Sequence, residues 1–160
     1  MDKISLLRFC VLVRGSFEIE VAGNSMSPSL TSGDIALLSN DREIRPGDIA
    51  VYPGKRSGLP VAHRVVKIDT LSDNKDIYLI GDNCAKVDIC KSDDVVGHIC
   101  AIRQQEDARW HDLSQTPFSL SIVTLSILLT REKDTNQAEV IERQRRAVCE
   151  KWRVQLFADH

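Results

Sequence analysis

A serine on a turn and a histidine on a strand are the side chains of this sequence best suited to covalent chemistry. Ser25 lies in the segment GNSMSPSL, residues 23–30, directly after a β-prone stretch, and we expect it on a turn at the edge of a sheet. Because a serine hydroxyl is a weak nucleophile at its ordinary pKa, it needs a neighbouring base. Taken alone, the segment fits an ordinary serine- and proline-rich turn better than a nucleophile.

His63 is the candidate base. It lies in the strongly β-prone stretch VAHRVV, residues 61–66, where side-chain alternation places it on the same face as Val61 and Val65. A half-buried imidazole with a free nitrogen can accept a serine proton near neutral pH. A single histidine on a strand is more often an ordinary core or surface residue, so His63 becomes informative only together with Ser25.

A carboxylate is the third group that such a site needs, because it orients the histidine through its far nitrogen. Two candidates follow the β-prone stretch DIYLIG: Asp82, in the turn Gly81-Asp82-Asn83, and Asp88. Each of them can also be an ordinary turn aspartate. The residues alone do not choose between the two.

Six β-prone stretches must position these groups. They are rich in valine and isoleucine and are separated by clusters of glycine, proline, aspartate, asparagine and serine, which is typical of a mainly antiparallel β fold. The stretches are residues 17–23, 34–39, 48–52, 60–68, 76–81 and 94–102.

The pattern changes from strands to two predicted helices after residue 103. Thr116 and Pro117 fit an N-cap and a first helical position, and they open an apolar helix that extends to about Thr130. A second helix is predicted over residues 137–156, from its apolar stripe.

We therefore expect a β catalytic domain over residues 1–103 and a helical extension over residues 104–160. The extension either packs on the β domain or docks a protein partner. Its last helix is locally basic, which suits an acidic partner or a membrane surface, although interspersed glutamates favour a solvated helix face. The basic residues are Arg143, Arg145, Arg146, Lys151 and Arg153.

Composition limits the classes of function. The 160 residues are 42% hydrophobic and 28% charged, as in a soluble protein with one domain and a short appendage. A net charge of -2 and a pI of about 6.1 argue against a nucleic-acid partner. The five cysteines contain no C-x-x-C pair, and the histidines and cysteines show no tetrahedral ligand spacing, so we expect neither a metal nor another cofactor.

In their order along the chain, these segments resemble the signal-peptidase family of serine endopeptidases. The resemblance covers residues 17–102 and rests on four blocks: GNSMSPSL; SGDIALL with RPGDIAVY; HRVV; and GDN followed by DVVG. Each block is weak alone, whereas their common order and spacing are specific. The resemblance implies the antiparallel, β-barrel-like catalytic core that signal peptidases share with repressor-type proteases.

The resemblance also implies roles for individual residues. It is to the branch of the family with histidine, rather than lysine, as base, so Ser25 would attack the scissile carbonyl, His63 would take its proton, and an acyl-enzyme would form. Asp88 matches the acidic position after G-D-N better than Asp82, which is expected to support the turn. Gly23 stands where some members have an oxyanion-binding serine, so backbone N–H groups, chiefly that of Ser25, would bind the oxyanion.

The substrate that the resemblance implies is an extended peptide, added as a strand at the edge of the sheet, with small residues before the cleaved bond. Met26 and Pro28, which follow the nucleophile, are the expected substrate-binding residues. No metal or nucleotide is implied.

Members of the family usually have an N-terminal membrane anchor. The apolar segments here, residues 4–13 and 117–130, are shorter than the roughly 20 residues of a spanning helix. We expect either a cytoplasmic substrate or a peripheral contact with a bilayer through these two segments.

Two other functions are open at this point. One is a self-cleaving repressor-type regulator, which shares the fold but has a lysine base and commonly a DNA-binding domain, for which the segment before the first predicted strand is too short. The other is a non-catalytic, peptide-binding barrel with a partner-docking tail. The joint presence of Ser25 and His63 favours an enzyme.

Overall fold

A single antiparallel sheet organises the protein in the computed structural model, which describes residues 1–113 and 119–158. Its strands are β1 (Ser16–Glu20), β2 (Ile35–Ser39), β3 (Ile49–Pro53), β4 (Pro60–Asp69), β5 (Asp76–Ile80), β6 (Val87–Lys91), β7 (Gly97–Arg103) and β8 (His111–Asp112). The strand order is β1-β2-β7-β3-β4-β5-β6, with β8 paired to β7. The helices are α1 (Lys3–Arg14), α2 (Ser119–Arg131) and α3 (Thr135–Phe157).

The predicted fold class is confirmed: a mainly β, half-barrel sheet followed by C-terminal helices. Each of the six predicted stretches contains a strand, and the first ends early because the chain leaves the sheet after Glu20 for the turn that holds Ser25. Strand β6 was not expected, since VDICK offers only two β-branched residues among five positions, two of which are charged. This short strand carries Asp88.

Two helices differ from expectation at their ends, and a third was not predicted. Helix α3 begins after Asp134, whose carboxylate accepts hydrogen bonds from the first N–H groups. Helix α2 covers most of the predicted apolar helix, and the cap assigned to Thr116 and Pro117 lies outside the described residues. Helix α1 was not predicted; Asp2 caps its start and Gly15, with a positive φ, ends it.

The main hydrophobic core joins the sheet to all three helices. Val11 of α1, Leu30 after the Ser25 turn, Ile122 of α2 and Trp152 of α3 belong to one buried cluster. The C-terminal helices therefore pack on the sheet, which is the first of the two arrangements expected for them. Within the described residues, no helix combines the length and the hydropathy needed to cross a bilayer.

Two of the five basic residues on α3 point inward rather than to a partner. Arg153 makes two hydrogen bonds to the carboxylate of Asp34, of 2.7 and 3.0 Å, and a third to a backbone carbonyl. Arg145 is fully buried and bonds to Glu142 and to the hydroxyl of Ser126. The basic surface expected for this helix is thus smaller than its sequence indicates.

A buried ion pair lies beneath α3. The guanidinium of Arg64, on β4, donates to both carboxylate oxygens of Asp82, at 2.9 and 2.7 Å, and to the carbonyl of Gly47. The side chains of the pair are 1% and 0% exposed. The ring of Trp152 lies over the guanidinium, 5.5 Å from its carbon, and helps to shield the pair from solvent.

We predict that Asp82→Asn lowers the free energy of unfolding by about 3–5 kcal/mol, because it leaves the buried guanidinium of Arg64 without a counter-charge. Asp76→Asn is the matched control, since Asp76 pairs with Lys91 at the surface, and its loss should change stability little. Urea denaturation of the two variants measures the difference. Equal, small losses for both would show that the buried pair contributes no special stability.

Candidate active site

Ser25 lies half-buried on a turn between β1 and β2. Its carbonyl accepts a 2.8 Å hydrogen bond from the N–H of Asn83, and the amide side chain of Asn83 donates to the carbonyl of Asn24. These bonds fasten the serine turn to the turn that follows β5. Gly23 opens the serine turn with a φ of +82°, a conformation that few residues other than glycine adopt.

The Ser25 hydroxyl and backbone N–H make no hydrogen bond to the described part of the protein, residues 1–113 and 119–158. Both groups are thus available, one to attack and the other to donate to a nearby anion.

His63 occupies the middle of β4 and is almost fully buried. Its Nδ1 atom is 2.9 Å from the hydroxyl oxygen of Tyr52 and 3.2 Å from Oδ2 of Asp88. The Tyr52 hydroxyl in turn donates to the same Asp88 oxygen over 2.8 Å. The structure therefore brings Asp88, rather than Asp82, to the imidazole.

The hydrogen bonds around Nδ1 indicate the tautomer of His63. A phenol has one hydrogen, which Tyr52 gives to the carboxylate of Asp88, so its oxygen accepts from Nδ1–H. The proton is then on Nδ1, and Nε2 carries the free lone pair. An imidazole in this state can accept a proton only through Nε2.

Burial sets the charge states of the two ring systems. It lowers the pKa of His63 below its ordinary value, although Asp88 acts in the opposite direction. Burial and the hydrogen bond to Asp88 raise the pKa of Tyr52 above its ordinary value. At neutral pH, His63 is therefore a neutral acceptor and Tyr52 a neutral phenol.

Gly81 is the point at which the serine turn and His63 meet. A Cβ atom at this position would lie 2.5 Å from the carbonyl oxygen of Ser25 and 3.0 Å from Nε2 of His63. A larger residue would have to displace one of them. The Nε2 face of the imidazole is consequently directed toward the Ser25 turn, past the bare Cα of Gly81.

Asp82 lies on the far side of this turn, where it pairs with Arg64. Each member of the pair is adjacent in sequence to a residue of the site, His63 in one case and Gly81 in the other. The backbone N–H of Asp82 also lies 3.5 Å from the sulfur of Met26, the residue after Ser25. Asp82 thus contacts the framework of the site and not its reacting groups.

An apolar groove of about 400 Å³ leads to Ser25. Its walls come from α1, from the residues that follow β1 and from the start of β4, and Met26 lies in its floor, almost fully buried. Pro28 is farther along the turn, after a cis peptide bond, and does not line the groove. Of the two expected substrate-binding residues, only Met26 therefore borders this space.

Tyr52 and Gly81 are site residues that the sequence patterns did not identify. The register pairs Ala50 of β3 with His63, so Tyr52, two residues further along, lies on the same face as the imidazole. That register was the one available signal, and it requires knowing how β3 pairs with β4. Within the described residues, no group of three or more metal-ligating side chains is present.

The sequence matches the Peptidase S24-like family over residues 6–100. It is also similar to signal peptidase complex catalytic subunits. SEC11 of Scheffersomyces stipitis is 38% identical over 72 residues, which are 44% of this chain and 43% of that protein. SEC11C of Homo sapiens is 39% identical over 69 residues, or 41% of this chain and 35% of that protein.

A longer alignment of lower identity is found with SEC11 of Lachancea thermotolerans, 28% identical over 131 residues, which cover 71% of this chain and 78% of that protein. The alignments with the Scheffersomyces stipitis and Homo sapiens proteins, in contrast, span less than half of those proteins. The family match extends over more than half of the 160 residues and includes the segments of Ser25, His63 and Asp88. The chain therefore belongs to the Peptidase S24-like family.

Proposed function

We propose that this chain cleaves an extended peptide or leader segment with Ser25 as nucleophile, His63 as general base and Asp88 as the group that orients the base. The surroundings of His63 carry the proposal: its Nδ1 is anchored by Asp88 and Tyr52, while its Nε2 is directed past Gly81 toward the serine turn. A histidine with only a packing role needs no such arrangement.

In the first step, Oγ of Ser25 attacks the scissile carbonyl carbon, and its proton passes to Nε2 of His63. The imidazolium that forms is stabilised by the carboxylate of Asp88 at Nδ1. Negative charge develops on the carbonyl oxygen, and the unpaired backbone N–H of Ser25 is the nearest candidate donor for it.

In the second step, the tetrahedral intermediate collapses and the C–N bond breaks. Nε2 returns the proton to the departing amine, and the acyl group stays on Oγ of Ser25 as an ester. His63 then takes a proton from water while the hydroxide attacks the ester carbon. When this second tetrahedral intermediate collapses, the C–Oγ bond breaks, Nε2 returns the proton to Oγ of Ser25, and the second product leaves as a carboxylic acid. The protons and the electron pairs balance without a metal or another cofactor.

The backbone around the groove supports an extended substrate. Ala22 and Gly23 border the groove, and their backbone groups make no hydrogen bond within the described part of the chain. On the opposite wall, β4 pairs with β5 from Arg64 onward, so residues 60–62 have no strand neighbour on that side among residues 1–113 and 119–158. A peptide strand placed between these edges would gain main-chain hydrogen bonds.

The side chains near Ser25 favour small substrate residues. Ala22, Gly23 and Ala62, which have small or no side chains, border the groove together with the apolar side chain of Val61. The resting Ser25 hydroxyl makes no hydrogen bond to His63, and bound substrate would complete that contact, as is common for catalytic hydrogen bonds.

The partner is also a proposal. The names of the relatives describe catalytic subunits of a signal peptidase complex, which supports a protein substrate for this chain. Within the described part of the helical extension, exposed apolar side chains available to a protein partner lie on α2, at Leu120 and Leu128, and on α3, at Val140 and Val154.

Cleavage of a synthetic peptide tests the nucleophile and the base. A peptide with alanine at the first and third positions before the cut should be cleaved by the wild type, and Ser25→Ala and His63→Ala should each lower turnover by about 10³-fold or more. Ser27→Ala, in the same turn, is the matched control and should retain activity. Mass spectrometry of the products gives both rate and cut position; full cleavage by Ser25→Ala would refute the proposed mechanism.

The pH profile tests the charge state of the base. Activity requires neutral His63, so kcat/KM should fall as the pH drops through the pKa of His63, and burial places this acidic limb below pH 6.5, the ordinary histidine value. Asp88→Asn removes a charge that raises the pKa of His63, so it should move the limb to lower pH as well as reduce the plateau. An acidic limb centred above pH 7 would contradict the assignment of His63.

A further inference from the structure

We infer that the hydroxyl of Tyr52 is a positioning group that holds His63 and Asp88 in the arrangement the base requires, an inference that rests on the proposed function. Three atoms form a closed triangle: the Tyr52 oxygen, Nδ1 of His63 and Oδ2 of Asp88. Its sides are 2.9, 2.8 and 3.2 Å. The side between His63 and Asp88 is the longest, so the phenol makes the two shorter contacts.

Tyr52 is the rigidly held member of the triangle. Tyr52 is 1% exposed and packs in a buried cluster with Ala50, Val65, Ile77 and Leu79. Strand β3 has a neighbour on each side, β4 and β7, so its backbone is held along the sheet. The position of the hydroxyl is thus determined by the core.

The carboxylate corner is much less constrained. The Asp88 side chain is 35% exposed, and its strand β6 is the last in the sheet order, paired only with β5. Two contacts tie this carboxylate to the interior: the 2.8 Å hydrogen bond from Tyr52 and the longer, 3.2 Å contact with Nδ1 of His63. Without the shorter one, rotation of Asp88 into solvent would cost less, and Nδ1 of His63 would lose the negative charge beside it.

The direction of the Tyr52 hydrogen bond also determines which nitrogen of His63 is free. While the phenol donates to Asp88, its oxygen can only accept from Nδ1–H, and Nε2 keeps its lone pair. If the carboxylate is removed, the phenol hydrogen has no other acceptor in the triangle and turns to Nδ1, which forces the proton onto Nε2. Tyr52 therefore supports the base only together with Asp88 and opposes it when Asp88 is absent.

The other titratable groups near the imidazole do not form part of the triangle. Asp82, behind the turn after β5, is paired with Arg64. The thiol of Cys84 lies beside Gly81 and contacts the carbonyl of Ser25, with a pKa that burial raises. Neither reaches Nδ1, so the state of that nitrogen depends on Tyr52 and Asp88.

Steady-state kinetics of Tyr52→Phe is the first test, with Tyr78→Phe as the matched control. Tyr78, the second tyrosine of the chain, packs against Lys67 and makes no hydrogen bond through its hydroxyl within the described residues. Tyr52→Phe should lower kcat about tenfold, the effect of losing one hydrogen bond to a charged group, with KM unchanged. The acidic limb of its profile should move to lower pH, and the control should match the wild type.

Measuring Tyr52→Phe in the Asp88→Ala variant separates a specific effect of the hydroxyl on His63 from a general loss of structure. There, Tyr52→Phe should not lower kcat further and should raise it, because it removes the donor that blocks the base. Nitrogen-15 NMR of His63 in the resting protein should show Nδ1–H in the wild type, Nε2–H in Asp88→Ala and a mixture in the double variant. The Asp88→Ala measurement needs no change at Tyr52, so it decides the matter even if Tyr52→Phe fails to fold.

The inference is overturned if Tyr52→Phe keeps the wild-type kcat and pH profile, or if Asp88→Ala leaves the proton on Nδ1. Its failure can be separated from failure of the proposed function. Activity in Ser25→Ala would reject the mechanism, and the NMR result would still decide how Tyr52 bonds to His63. Inactive Ser25→Ala with fully active Tyr52→Phe would reject the role of Tyr52 alone.

Discussion

The buried ion pair between Arg64 and Asp82 is the interaction on which the rest of the site depends. Removing two charges from water costs several kcal/mol per ion, so the pair is stable only with good geometry and full hydrogen bonding. Here the guanidinium makes two bonds to the carboxylate and one to a backbone carbonyl, beneath the ring of Trp152. These demands fix β4 against the turn after β5 in one arrangement.

The proposed catalytic groups gain their positions from that arrangement. His63 precedes Arg64 on β4, and Gly81 precedes Asp82 in the turn, so the pair holds the imidazole next to the glycine. Asn83, the next residue of the turn, bonds to the carbonyl of Ser25. The Arg64–Asp82 pair, which the C-terminal helix covers, thus joins β4, which carries His63, to the turn that bonds to the carbonyl of Ser25. The described part of the helical extension consequently contributes to the proposed site by covering this pair, without supplying any of the proposed reacting groups.

The sequence could predict those parts of the site that local patterns encode. The strands and the turn of Ser25 follow from β-branched runs and turn residues, and His63 from its place in a family block. The resemblance favoured Asp88 over Asp82, but the residues alone could not separate them, because the difference lies in a buried arginine partner and in the unforeseen strand β6. Tyr52 depends on strand register, which no single segment specifies. The division into two domains at residue 103 stays a prediction.

In the proposed mechanism, Ser25 forms a covalent intermediate, and its formation requires His63. The most direct measurement is mass spectrometry of the protein after acid quenching during turnover of an activated peptide ester, followed by mapping of the acylated residue. The account predicts a single acyl group on Ser25 in the wild type and in Ser27→Ala, and none at that position in His63→Ala. Acylation of another residue, or of Ser25 at the same rate without His63, would contradict it.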